Sequence, residues 1–285
     1  MQRSWFRGLS IGVTWLWLGV FALLPTCALL LVAMLDRTES DFFIPVFTLD
    51  NFAGLFSRSF ATVMLDSVWL AAASTMLCLL LGYPFAYGLA KARKKWRPWL
   101  LLLVIIPFWT NSLIRTYSII LLLGAQGMVN KFLGLFGISP LSMMYSDFAV
   151  FVGLSYTMLP FMVLPLYASM EKLNPALTDA AKDLGASSFR AFWHITLPLT
   201  MPGIVAGCIL VFLPCLGMFY VPEILGGADN LLLGTYIKNQ FLVYRNWPMG
   251  AAASSVLTIM LVLMALVYKL STRKSRTDEK GFWGA

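Results

Sequence analysis

The chain of 285 residues is 59% hydrophobic and only 12% charged, with a mean hydropathy of +0.79, whereas a soluble domain carries roughly 25% charged residues. Apolar runs of about 20 residues mark transmembrane helices and exclude a β-barrel, which would show alternating strands of about ten. The net charge of +8 is concentrated in short segments between apolar runs, the topology signal of a membrane protein and not a nucleic-acid footprint.

Arg3 and Arg7 precede an apolar stretch that starts at Ile11, in the manner of a signal peptide. The stretch continues to Leu35 with no small-residue cleavage site, so an uncleaved first span is expected over Ile11–Leu35. The next spans are predicted at Val63–Ala90, Trp99–Leu123, Phe148–Met170, Gly203–Val221 and Gly250–Leu270, giving an all-α integral membrane protein of six transmembrane helices. Fifteen of the 21 Lys and Arg residues fall in one set of inter-span segments, among them Lys91, Arg93, Lys94, Lys95, Arg97, Lys172, Lys182 and Arg190. Five fall in the other set, and Arg115 lies inside a span. The bias predicts that both termini are cytoplasmic. The outer segments 36–62, 124–147 and 222–249 hold Asp36, Glu39, Asp41, Asp50, Asp147, Glu223 and Asp229, so acids outnumber bases there, which suits a cationic solute. Cys27, Cys78, Cys208 and Cys215 all sit in apolar runs without CxxC spacing and are expected as buried small side chains.

The longest cytoplasmic segment reads EKLNPALTDAAKDLGASSFRAFWHITLPLTMPG over residues 171–203. Asn174 suits an N-cap, Pro175 the first helical position and Gly185 the C-terminal stop. A helix of about ten residues is too short to be stable alone in water, so it must dock on something. Leu177, Ala180, Ala181 and Leu184 are spaced for one apolar face, with Thr178, Asp179, Lys182 and Asp183 opposite. On residues alone, that face serves equally well to rest on its own bundle or to meet a partner.

Asp179-Ala180-Ala181, followed by Gly185, Ile195, Leu197 and Pro198, resembles the EAA loop of binding-protein-dependent ABC import permeases. The resemblance implies a type I importer permease fold and a coupling helix at 174–185 that sits in a groove of a cytoplasmic ATPase. Asp179 stands where the family usually has Glu, which keeps the charge and shortens its reach by one methylene. The chain has no GxxxxGK[ST] phosphate loop. The resemblance therefore implies no cofactor on this chain and no enzyme activity of its own, with ATP and Mg held by the partner ATPase.

Further segments, among them LGYPFAYGLAK (81–91), PFWTNSLIRTYS (107–118), LTMPGIVAGCILVFLPCLGMFYVPEILGG (199–227) and NWPMGAA (246–252), are similar to the B-type permeases of spermidine/putrescine importers. Relatives of that group handle opines, aminophosphonates and other small organic cations or amino compounds, which are the alternative cargo. The resemblance implies as partners a second homologous permease, a dimer of cytoplasmic ATPase subunits and a periplasmic polyamine-binding protein, besides membrane lipid and without nucleic acid. The expected organisation is an N-terminal helix and periplasmic loop over 1–62, a permease domain over 63–270 with its coupling loop at 171–202, and a cytoplasmic tail over 271–285.

A flexible polycation is conducted best by carboxylates and aromatic faces. Trp109, Tyr117, Tyr156, Phe219 and Tyr220 within spans, with Asp66 and Glu223 at the outer side and Asn111 in the quoted 107–118 segment, are the pathway candidates. Each aromatic is equally at home as an interfacial anchor. Arg115, the one base well inside a span, should have a carboxylate partner, with Asp66 and Glu223 nearest by depth; a structural ion pair and a gating role remain alternatives. Gly203 and Gly207 form a GxxxG packing signal, and Pro214 should disturb the backbone of the fifth span. An intramembrane enzyme is disfavoured, since His194 is alone and no HExxH or GxSxG occurs. A channel or secondary transporter would leave the EAA-like loop unexplained.

Overall fold

The computed structural model describes residues 2–38, 42–227 and 230–282, and the side chains within them except at 2–8, 267, 268 and 270–282. Glu39, Asp41 and Asp229, three of the outer acids, lie outside the described residues, as does the end of the tail at 283–285.

In lipid an apolar run must satisfy its own backbone, so it folds as helix. In chain order, α1 (Gln2–Leu18) and α2 (Leu24–Ala33) are joined by a π turn, Gly19–Leu23. There follow strands β1 (Leu35–Asp36) and β2 (Ile44–Phe47), then α3 (Asp50–Gly54), α4 (Arg58–Lys91), α5 (Arg97–Trp109), α6 (Ser112–Leu123) and α7 (Met128–Gly134). The chain continues with α8 (Asp147–Glu171), α9 (Pro175–Asp183), α10 (Ser188–Ala191), a second π turn at Phe192–Thr196 and α11 (Leu197–Gly217). It ends with α12 (Tyr220–Leu225), α13 (Leu233–Leu242) and α14 (Trp247–Phe282). Among the described residues six helical segments are long and apolar enough to cross a membrane: Leu9–Ala33, Arg58–Lys91, Ser112–Gly134, Asp147–Glu171, Ser188–Gly217 and Trp247–Leu266. At about 1.5 Å per residue, α8 with its 25 residues is long enough for a hydrocarbon core of about 30 Å.

The third and fifth spans differ from expectation. The continuous helix predicted over Trp99–Leu123 is broken, because Thr110 is extended (ψ 147°) and α6 restarts at Ser112. Pro107 weakens the last turn of α5, and the Asn111 side chain accepts the Leu113 N–H at 2.8 Å, so capping outcompetes continuation. The fifth span keeps its helix through Pro214 and stops at Gly217, where Met218 turns extended (ψ 127°) while its N–H still reaches the Pro214 carbonyl at 2.9 Å. The irregular spot is therefore Met218–Phe219 and not Pro214, and Val221 belongs to α12.

Two compact units are present. The first comprises Met1–Met64 and Tyr236–Met260. Its π turn ends two residues before Pro25, whose missing N–H leaves a carbonyl in the preceding turn without its usual donor. The Asn51 amide caps the end of α2 by donating to the carbonyls of Ala33 (3.2 Å) and Leu35 (2.8 Å). A small core of Ala33, Ala251 and Ala252 packs with Leu29, Val32, Phe52 and Phe241. Trp15, Leu16 and Trp17 are exposed, as is Cys27, while Cys208 is half-buried, which corrects the expectation that all four cysteines are buried. An apolar surface of this kind faces lipid without penalty.

The second unit comprises Leu65–Thr235 and Leu261–Ala285. Its centre is the seam between α8 and α11. Buried Val150, Leu154, Met158, Met162, Leu166 and Met170 form a row with a spacing of four on α8. Gly203, Gly207, Val211 and Cys215 form the matching row on α11. Two such rows interdigitate as ridges into grooves. The glycines set the approach: a Cβ at Gly203 would lie 2.8 Å from the Pro165 carbonyl oxygen, and one at Gly207 would lie 2.7 Å from the Met162 sulfur. Buried Cys78 donates to the Ser155 carbonyl at 3.3 Å, tying α4 to α8. Tyr83 and Thr200 join α4 to α11 through their hydroxyls at 3.0 Å.

Candidate coupling loop and translocation residues

The loop after α8 builds α9 from local rules. The Asn174 side chain accepts the Ala176 N–H at 3.1 Å, and Pro175 takes the first turn, where its absent N–H costs nothing. At the other end Gly185 has φ +89°. Its N–H bonds the Lys182 carbonyl at 2.8 Å, and the Ala186 N–H bonds the Ala181 carbonyl at 2.9 Å. That pair of bonds is a Schellman motif, and it requires the left-handed residue that glycine supplies.

No residue of α9 is buried. Leu177 is 48% exposed and Leu184 89% exposed, with Ala180 exposed beside them. A helix resting on its own bundle would hide these residues; this one presents them outward. Phe189 and Trp193, 6.1 Å apart between ring centroids, extend the exposed apolar surface. Asp179 points to solvent and makes only a 4.0 Å pair with Lys182, the kind of exposed pair that contributes little. Ile195 lies in the second π turn, and Leu197 and Pro198 open α11. The loop thus continues straight into the helix that packs along α8.

The pathway candidates divide into two groups. Asn111 and Arg115 lie one turn apart at the start of α6, and the Tyr220 hydroxyl meets that of Ser112, which ties α12 to α6. Phe219 stands edge-on to Tyr220 at 6.1 Å, and its carbonyl accepts from Thr235. Among the described residues, no hydrogen bond or ring contact joins Asp66, Tyr117 or Tyr156 to this group. All three are exposed, as is Trp109 at the end of α5. Glu223 is exposed on α12, one turn after Phe219.

Arg115 departs from expectation. It shares the buried face of α6 with Thr116, Ile119 and Leu123 and is only 9% exposed. Arg115 takes part in neither the Arg97–Glu171 nor the Lys182–Asp179 ion pair. Its guanidinium instead lies 5.5 Å from the centre of the Phe108 ring, with Nε buried and without a hydrogen-bond partner. An aromatic face takes the place of the expected carboxylate. The break at Thr110 lies between Phe108 and Arg115.

Ser112 was not singled out by sequence reasoning, although it lies inside the quoted 107–118 segment. Nor was the network at the other end of α8, where the Tyr167 hydroxyl donates to Glu171 at 2.8 Å and Arg97 lies 3.9 Å from the same carboxylate. The four-residue spacing of Tyr167 and Glu171 was the available signal.

With this geometry in place, comparison with known proteins is decisive. Residues 79–276 match the model of the family described as binding-protein-dependent transport system inner membrane component. The chain belongs to that family. The spermidine/putrescine transport system permease protein PotB of Haemophilus influenzae is 46% identical over 275 residues, covering 94% of this chain and 96% of that one. PotB of Escherichia coli K12 is 50% identical over 259 residues, covering 90% and 94%. The crystal structure of a bacterial alginate ABC transporter in complex with an alginate-bound periplasmic protein contains a chain with the same fold, at a TM-score of 0.73 and 20% identity over 96% of each chain. The protein is therefore a multi-pass inner-membrane permease of the type I ABC importer class, a transport component of its system.

Proposed function

We propose that this permease moves spermidine and putrescine across the inner membrane, driven by ATP hydrolysis on a separate subunit. The observation that carries the reading is near-50% identity to two spermidine/putrescine permeases over at least 90% of the chain. The excess of acids in the outer segments fits a cationic cargo. The exposed apolar face of α9 supports its role as the coupling helix, with Ala180, Ala181 and Gly185 allowing close approach to the ATPase. Both termini and α9 are cytoplasmic in this reading, as the Lys and Arg bias indicates. A second permease, a pair of ATPase subunits holding ATP and Mg, and a periplasmic polyamine-binding protein complete the system. The polyamine enters past Glu223 and Tyr220 and then passes the α5–α6 break at Trp109 and Asn111.

Proteoliposomes containing the complex purified through this chain, supplied with ATP inside and binding protein outside, should accumulate labelled spermidine and putrescine. Accumulation of another amino compound in their place would overturn the polyamine assignment and leave the permease assignment standing.

A further inference from the structure

A cavity of about 520 Å³ lies between the end of α4, the start of α5 and the inward side of α9. Its walls carry Lys91, Lys94, Arg97 and Lys182, against a single carboxylate, Glu171. That carboxylate is already engaged by the Tyr167 hydroxyl and by Arg97. Lys91 is steadied over the Tyr87 ring at 4.3 Å, and Arg97 Nε is held on the Ala92 carbonyl at 2.9 Å. Lys91 and Arg97 are thus held beside a space whose own acid is engaged, while Lys182 has only its exposed 4.0 Å pair with Asp179. A second groove, of about 370 Å³, shares Lys94, Arg97 and Glu171 and runs onto Pro98 and Leu101 of α5.

Trp96 and Trp99 flank the mouth in sequence and are 59% and 65% exposed. Exposed tryptophans beside lysines at the end of a span mark the headgroup level of a bilayer. A basic cavity at that depth, adjoining a groove that runs onto apolar Pro98 and Leu101, has the chemistry of a phospholipid: phosphate within and acyl chain along the side. Anionic lipids populate the leaflet facing the basic segments.

We propose that this cavity binds the phosphate headgroup of an anionic phospholipid, with one acyl chain lying along Pro98 and Leu101. Thr178 and Lys182 of α9 form part of its wall, so the bound lipid braces the inward side of α9 against the start of α5. The proposal goes beyond the transport reading and does not depend on the identity of the cargo.

The test is native mass spectrometry of the full-length, delipidated protein titrated with phosphatidylglycerol or with phosphatidylcholine of the same acyl chains. Phosphatidylglycerol should be retained in preference. Each lysine beside an anionic headgroup is worth about fivefold in affinity, so Lys91→Gln with Lys94→Gln should weaken phosphatidylglycerol binding on the order of 25-fold and phosphatidylcholine, whose phosphate is offset by its choline, much less. The single variants should each show the fivefold step, which keeps the test readable if the double variant folds poorly. Arg58→Gln with Lys131→Gln, outside the cavity, should have no effect. Equal binding of the two lipids, or a preference that survives the double variant, would overturn the proposal. Lysine-dependent retention of inorganic phosphate without any preference among lipids would assign the cavity to a soluble anion and overturn the lipid as its occupant.

Discussion

Gly185→Ala isolates the backbone conformation that ends α9. A Cβ at this position meets no atom within 4 Å, so an added methyl clashes with nothing. What it does meet is φ +89°, in the left-handed region where an L-residue costs about 1–2 kcal/mol. Helix α9 has nine residues and no buried side chain. It is below the roughly 12–15 residues at which an isolated helix becomes marginally stable, so it has little reserve to absorb that cost. A penalty of about 1–2 kcal/mol lowers the equilibrium constant for the closed turn about 5- to 30-fold. Asn tolerates the left-handed region better than Ala, and β-branched Val tolerates it worse. The expected order of ATP-driven uptake is Gly, then Asn, then Ala, then Val, with Ala reduced by up to about 30-fold. The assay is uptake in proteoliposomes, normalised to protein present, alongside recovery of the ATPase with each variant. Uptake by Gly185→Val equal to wild type, or by Gly185→Asn no better than Gly185→Ala, would refute the reasoning.

Gly203→Ala and Gly207→Ala should separate, although both sit on the α8–α11 seam. The Gly203 methyl would press on the rigid Pro165 carbonyl oxygen at 2.8 Å, and the Gly207 methyl on the flexible end of Met162. Overpacking at Gly203 should cost about 1–3 kcal/mol, read as a lower unfolding temperature in detergent, while Gly207→Ala should stay near wild type. The reverse order would contradict the packing. Arg115→Met keeps the side-chain stem and removes a buried charge whose Nε has no partner, so the protein should remain folded and at least as heat-stable. Loss of uptake in that stable variant would place Arg115 on the path, whereas normal uptake would make it structural. For topology, Lys131→Cys and Ser187→Cys in a cysteine-free background should differ, the first labelled by an impermeant reagent from outside and the second not. Labelling of Ser187→Cys from outside would invert the assignment. Asn130, beside Lys131, is unsuitable for such a probe because its buried amide donates to the Gly124 and Leu141 carbonyls, both at 3.0 Å.

What sequence alone determined here are the features carried by neighbours in the chain. Span lengths follow from runs of apolar residues, since lipid demands internally satisfied backbone over a fixed thickness. The limits of α9 were legible because an N-cap and a left-handed glycine act within four residues of themselves. The EAA-like spacing from Asp179 to Pro198 was legible only as a resemblance to a family pattern. Tertiary structure decided whatever depends on contacts between distant segments. The break after Trp109 is a competition between helix continuation and an Asn111 cap, in which composition favours neither side. Arg115 meets the Phe108 ring across that break, and a carboxylate search by depth along separate helices could not see that. The cavity beside α9 exists because Lys94, far earlier in the chain, is brought beside Glu171 and Lys182 by the packing of α5 and α8. Helix periodicity gives each of these residues a face; only the assembled bundle says which faces meet.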